Sequence, residues 1–241
     1  MMLISSSAIV LSKVRYRDND LIIKCFTRDL GVVSYMIKNI SVSKKSKNKF
    51  AFFQLLNIID LETNFNPNRS IQYIKDLKIK YNFKSLHTNI YKSSVVMFLS
   101  EILSTIIHNE IKDIELFDFI ESSLIWYDKS EESSAFYLIF LMQMTDYLGF
   151  YPDCTNMHYN YFNLEEGLFE NSKNSKYAIS GDSLVSFKTI LGIKFDGNKL
   201  PFIDKHKKKD ILNNILIYYK LHVDGFKDPK SLKVLNQIFA D

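Results

Sequence analysis

AIVLSKVRY (Ala8–Tyr16), LIIKCFTR (Leu21–Arg28) and VVSYMIK (Val32–Lys38) are three short segments in which apolar and polar side chains alternate. The turns between them, Arg17-Asp18-Asn19-Asp20 and Asp29-Leu30-Gly31, are polar and tight. A period of two marks β-strands, and connections this short make them antiparallel hairpins. Sorted by face, the first strand sets Ala8, Val10, Ser12 and Val14 against Lys13 and Arg15. The second sets Leu21, Ile23 and Cys25 against Lys24, Phe26 and Arg28, and the third sets Val33, Tyr35 and Ile37 against Ser34 and Lys38. The expectation is a small curved sheet with one apolar and one basic face, running straight into Lys44, Lys45, Lys47 and Lys49. Such a face, ending in a lysine loop, suits a phosphate backbone. Phe26 on that face either stacks on a base or packs against the rest of the protein.

Two more strands are expected at Phe52–Glu62 and Ser70–Lys80, separated by the turn Asn64–Asn68. Five strands in this span predict an OB-type barrel, with an SH3-like barrel as the competitor. From about residue 85 the apolar period lengthens to that of a helix. Helices are expected over Asn89–His108, Ile114–Tyr127 and Glu132–Leu148, the last central to its domain and stopped by Gly149 and Pro152. Tyr159–Leu164 and Leu168–Glu170, around Glu165-Glu166-Gly167, read as a hairpin followed by a polar loop. Helices resume at Ser180–Leu191, Lys207–His222 and Lys230–Phe239, with Asp228-Pro229 as the opening of the last. The fold class is therefore α+β. A five-stranded barrel domain spans residues 1–80, and an α-helical domain spans 81–241 with a small hairpin insertion at about 150–178.

Charge is distributed unevenly. Residues 1–80 hold 14 Lys/Arg against 6 Asp/Glu, and the remainder holds 17 against 21, within a total of +4. An anion-binding module on a near-neutral scaffold follows. A second basic run, Lys205, Lys207, Lys208 and Lys209, opens a helix, where cations oppose the dipole. It is either a solvated helix start or a further contact to an anionic partner. Two cysteines, Cys25 and Cys154, make no disulfide framework. The short N-terminus, with Ser5-Ser6-Ser7 ahead of the first strand, lacks a signal peptide's apolar stretch, and no run has the length of a membrane span, so a cytoplasmic protein is expected. Walker, G-x-G-x-x-G and H-E-x-x-H motifs are missing and the acidic pairs sit on surfaces and turns, so no enzyme is expected.

The order of elements and several residue strings resemble the bacterial RecO family. Ala8-Ile9-Val10-Leu11, Asp20-Leu21-Ile22-Ile23 and Phe26-Thr27-Arg28-Asp29-Leu30-Gly31 are similar to that family's "G-I-V-L … D-x-I-V-x-x-F-T-x-x-x-G" strands. Lys38-Asn39 and the basic stretch after it resemble "K-G-x-R-R-x-K-S". Leu148-Gly149-Phe150-Tyr151-Pro152 resembles "L-G-Y-x-P", and Tyr218-Tyr219-x-x-His222 with Lys230-Ser231-Leu232 resembles "Y-x-x-x-H … K-S-L". The resemblance implies a DNA repair and recombination mediator. Such a protein binds single- and double-stranded DNA, anneals complementary strands and, with RecR, helps RecA displace the single-stranded-DNA-binding protein SSB. DNA would then lie on Lys13, Arg15, Lys24, Phe26, Arg28, Lys38 and the Lys44, Lys45, Lys47 and Lys49 loop. The acidic SSB tail would need an apolar groove beside a cation, which the sequence does not locate; Lys205, Lys207, Lys208 and Lys209 are the candidates for a secondary contact to DNA or to that tail. Many relatives bind structural zinc through two C-x-x-C pairs. Here Cys154 stands alone with His158 nearby, so no zinc and no other cofactor are expected. An RNA-binding barrel and a non-catalytic adaptor are the alternatives.

Overall fold

The computed structural model describes residues 2–17, 19–38, 40, 50–108, 111–131, 134–196 and 200–238. Strands β1 (Met2–Tyr16), β2 (Asp20–Thr27), β3 (Gly31–Ile37), β4 (Ile58–Phe65) and β5 (Ile71–Ile79) close into a barrel in the order β1-β2-β3-β5-β4. All neighbours are antiparallel except β3 and β5, which run parallel where the barrel closes. This is the OB topology, and closure leaves the sheet without an unpaired edge. The interior is filled by one side of each strand, including Val10, Ile23, Cys25, Tyr35, Ile59 and Leu61, all at most 2% exposed. Burial pushes the Cys25 thiol well up, so it packs as a small apolar group.

The run Ala8-Ile9-Val10-Leu11 is buried on both faces. Ala8 and Val10 fill the barrel, while Ile9 and Leu11 are buried outside that cluster, where β1 packs against helix α1 (Ile90–Ile106), which is followed by α2 (Ile114–Lys129). Ser100 on α1 donates its hydroxyl to the Leu11 carbonyl at 2.7 Å. Phe26, 1% exposed, meets Phe117 of α2 with ring centroids 5.7 Å apart. Two units result: Met1–Lys129 with Pro229–Ile238, and Ser130–Asp228. In the first, the approach to α1 is pinned by Asp128, whose carboxylate accepts N–H bonds from Lys84, Ser85 and Leu86 at 3.0, 2.8 and 2.8 Å. Lys92, also buried, donates to the Ser85 hydroxyl and the Asp128 carbonyl.

The second unit is built on α3 (Phe136–Tyr147), buried on nearly every side, and α5 (Lys205–His222), whose Tyr219 hydroxyl donates to the Leu141 carbonyl at 2.8 Å. Between them lie β6 (Tyr161–Asn163), β7 (Leu168–Glu170), β8 (Ala178–Ser180) and α4 (Gly181–Lys188). The expected hairpin is β6–β7, and the expected polar loop ends in a third strand, β8, paired with β6. Phe162 packs on Phe169 of the same sheet and joins it to the helices through Phe187 and Tyr218, with centroids 4.8, 5.0 and 6.0 Å away. His222 shares a hydrogen bond of 2.9 Å with the Leu164 carbonyl and stacks on Phe150.

Other expectations are corrected in detail. Ser5–Ser7 does not precede β1 but lies within it, pairing with β4. The Ser6 and Ser7 hydroxyls bond to Asp29 at 2.6 Å and Asp60 at 2.8 Å, which lets a polar run serve as strand. Phe52–Glu62 begins as a single 3-10 turn, Ala51–Phe53, and becomes strand only from Ile58. Asp228 does not cap the last helix, α6 (Leu232–Ile238), but pairs with Lys220 at 2.6 Å. The carboxylate of Glu101 on α1 takes that place, accepting from the Lys230 and Ser231 N–H groups and the Ser231 hydroxyl at 2.8, 2.9 and 2.6 Å.

Candidate nucleic-acid interface

The feature that decides the exposed face of the barrel is a bulge in β1. Val10 pairs with Cys25, but the next pair is Ser12 with Lys24, so Leu11 is the extra residue and the alternation changes phase there. Directly opposed residues share a face. Lys13 and Arg15, opposed to Ile23 and Leu21, therefore lie on the side of the sheet that lines the interior, at the end of the barrel. The expected common face of Lys13, Arg15, Lys24, Arg28 and Lys38 does not form.

What the phase change brings outward is a row across four strands. Val14 opposes Ile22, Ile22 opposes Met36, and Met36 opposes Tyr73. Its two ends are open, Val14 at 63% and Tyr73 at 46% exposure. Tyr16, two residues beyond Val14 and so on the same face, is also exposed. Cations sit against these rings: Lys38 Nζ lies 5.4 Å from the Tyr73 centroid, and the Arg17 guanidinium lies 5.3 Å from Tyr16. Arg17 adopts a left-handed conformation (φ 55°) in the β1–β2 turn. Beside the row is a recess of about 360 Å³ lined by Met36, Lys38, Phe52, Tyr73 and Lys75. Flat rings next to fixed positive charge offer stacking and phosphate neutralisation together, the two terms that hold single strands regardless of sequence.

The other expected residues are placed differently. Lys24 donates to the Ser104 carbonyl at the end of α1 at 2.8 Å, and burial lowers its pKa. Phe26 is walled in by α2, which removes it as a stacking platform. Arg28 forms a two-pronged ion pair with Asp118, both contacts 2.9 Å, which holds the Asp118 carboxyl below its ordinary range. Lys13 is half-buried with Nζ 4.9 Å over the Phe50 ring, and desolvation lowers its pKa. Arg15 is exposed, and among the described residues of the expected set Lys38 is the cation set against Tyr73. Lys44, Lys45, Lys47 and Lys49 lie outside the described residues.

In the second unit, Lys205, Lys207, Lys208 and Lys209 open α5 as expected, with Asp204 as N-cap accepting the Lys207 N–H at 3.0 Å. This carboxylate offsets the cations at the positive end of the helix. Cys154 is exposed, its Sγ 3.5 Å from the Pro152 carbonyl, and His158 stands against Tyr159. Among the described residues no three His, Cys, Asp or Glu side chains converge. Phe162 packs this segment through its contacts with Phe169, Phe187 and Tyr218.

Strict alternation carried through Leu11 places Val14 and Tyr16 on the buried face, whereas the structure turns them outward. The available signal was the unbroken apolar run Ala8–Leu11, which marks burial on both faces and a place where phase can change.

The closed barrel with its apolar surface row ending in Tyr73, continued by a mainly helical chain, defines an OB-barrel protein with an α-helical C-terminal part. The family model described as Recombination protein O N terminal matches residues 1–83, and that described as Recombination protein O C terminal matches residues 87–233. Proteins named DNA repair protein RecO are similar over 99% of this chain and 100% of their own length. That of Flavobacterium johnsoniae is 39% identical, that of Flavobacterium psychrophilum 37% and that of Bacteroides fragilis (strain YCH46) 30%. The chain belongs to the RecO family of DNA repair proteins. No helix among the described residues is long and apolar enough to cross a membrane.

Proposed function

We propose that this chain is a non-catalytic, cofactor-free recombination mediator of the cytoplasm. It binds single- and double-stranded DNA, anneals complementary strands and, with RecR, helps RecA displace SSB. The observation that carries the reading is the Val14–Ile22–Met36–Tyr73 row with Tyr16, Arg17 and Lys38 around it. Bases stack on Tyr73 and Tyr16, while Lys38, Arg17, Lys44, Lys45, Lys47 and Lys49 neutralise phosphates. Annealing needs no reactive side chain, because base pairing drives it once phosphate repulsion is screened. Residues 1–80 hold DNA in this scheme, and residues 81–241 engage the protein partners.

The test has two stages. Tyr73→Ala should weaken single-stranded DNA binding by about tenfold, the value of roughly one stacked base. Replacing Lys44, Lys45, Lys47 and Lys49 with glutamate should weaken it further and flatten the salt dependence, each phosphate contact contributing about 0.7 to the slope of log K against log salt. Annealing of SSB-coated strands should then fall in the same order, and removing the last residues of SSB should abolish the stimulation. Unaltered binding in both variants, or a strong preference for RNA, refutes the assignment.

A further inference from the structure

Phe202 is 93% exposed, more than any other large apolar side chain among the described residues. It is held out rather than trailing: the next residue, Ile203, is 4% exposed, and Asp204 then caps α5. The first turns of that helix direct the neighbouring cations unequally. Lys208 turns toward the core, where burial lowers its pKa, and Lys207 pairs with Asp204 at 3.5 Å. Lys205 and Lys209, four residues apart and both exposed, lie on one outward face with His206.

We propose that Phe202, Lys205 and Lys209 form a second contact for single-stranded nucleic acid. A base stacks on the ring, and the flanking phosphates lie against the two lysines. The ring projects from the surface, and that geometry selects the occupant. An apolar peptide side chain gains by entering a recess, whereas a nucleobase gains on a flat, open ring face. The adjacent positive charge matches a phosphate chain. The inference rests on the DNA-binding reading and adds to it a contact on the second unit. One contact in each unit lets a single molecule hold two strands, as annealing requires.

Full-length protein is titrated against labelled oligothymidine, with Phe202→Ala, Phe202→Leu, Lys205→Ala/Lys209→Ala and Tyr73→Ala in parallel. Exposure makes the Phe202 and lysine variants neutral to folding, which thermal melts check. Phe202→Ala should weaken binding about tenfold, and Phe202→Leu nearly as much, because leucine keeps the apolar area and loses the stacking face. The double lysine variant should lower the salt slope by about 1.4. Wild-type affinity in both Phe202 variants, alongside weakened Tyr73→Ala, overturns this inference and leaves the barrel reading standing. Failure of the wild type to bind oligothymidine overturns both. An acidic peptide ending in phenylalanine is the remaining arm. If Phe202→Ala loses the peptide and keeps the oligonucleotide, the patch is a protein-docking site and the inference fails.

Discussion

Asp128→Ala is the most informative single perturbation of the first unit. The carboxylate is the acceptor for three consecutive N–H groups, those of Lys84, Ser85 and Leu86. Leu86 is 0% exposed, so its orphaned N–H finds no water and costs about 1–3 kcal/mol. The N–H groups of Ser85 and Lys84 are nearer solvent and add about 1 kcal/mol each. A loss of about 3–5 kcal/mol follows, in the range seen when one side of a buried polar pair is removed. With a urea slope of about 2 kcal/mol/M, the midpoint of the first unit should drop by about 2 M. Asp128→Asn keeps one acceptor oxygen and should lose roughly half as much. The pH dependence has a definite sign. Burial alone raises the Asp128 carboxyl, but the three N–H donors outweigh it and hold the group below its ordinary range. Its contribution is therefore complete above about pH 3.9, the unfolded value, and is lost as pH falls through the depressed folded value. Urea denaturation followed by circular dichroism reads both effects. A midpoint within about 0.5 M of the parent for Asp128→Ala refutes the assignment of this carboxylate as the pin of the segment leading to α1.

Glu101→Gln should release α6, seen as faster amide exchange at residues 230–238 with little change in the barrel, because the Lys230 and Ser231 donors lose their ionised acceptor. Burial raises the Glu101 carboxyl, but the Ser231 hydroxyl and the two N–H groups hold it below the ordinary range, so the clip is complete above the unfolded value of about 4.3 and is lost as pH falls through the depressed folded value. Phe26→Leu should cost about 1–2 kcal/mol by loosening the contact with Phe117 and leave single-stranded DNA affinity unchanged; a selective loss of affinity refutes its placement. Thiol titration of the native protein should find Cys154 reactive and Cys25 protected, with both reacting in denaturant.

Periodicity carried much of the fold into view. The helix expected at Ile114–Tyr127 is Ile114–Lys129, and the strands expected at Leu21–Arg28 and Val32–Lys38 are Asp20–Thr27 and Gly31–Ile37. These elements obey one period along their length, and their ends carry turn residues. The failures share a cause: a local pattern was overruled by a partner distant in sequence. Ser5–Ser7 reads as a leader until Asp29 and Asp60 are seen to receive its hydroxyls. Asp228-Pro229 reads as a cap until Glu101 supplies the carboxylate from far up the chain. The candidate site failed by one residue, since an extra Leu11 exchanges Lys13 and Arg15 for Val14 and Tyr16 on the open face. Tyr73 was read as a strand residue, but its exposure depends on the parallel pairing with β3, which no local signal reveals.

The return of Pro229–Ile238 to the first unit gives the chain an order of events during synthesis. Barrel, α1 and α2 leave the ribosome first, yet α6, which packs on α1, emerges only after the whole second unit has been made. The N-terminal unit is thus held one helix short of completion while its neighbour folds. A polypeptide that stops before Pro229 would keep every strand of the barrel and lack the helix that Glu101 is positioned to cap, so a loss late in synthesis damages a unit made early.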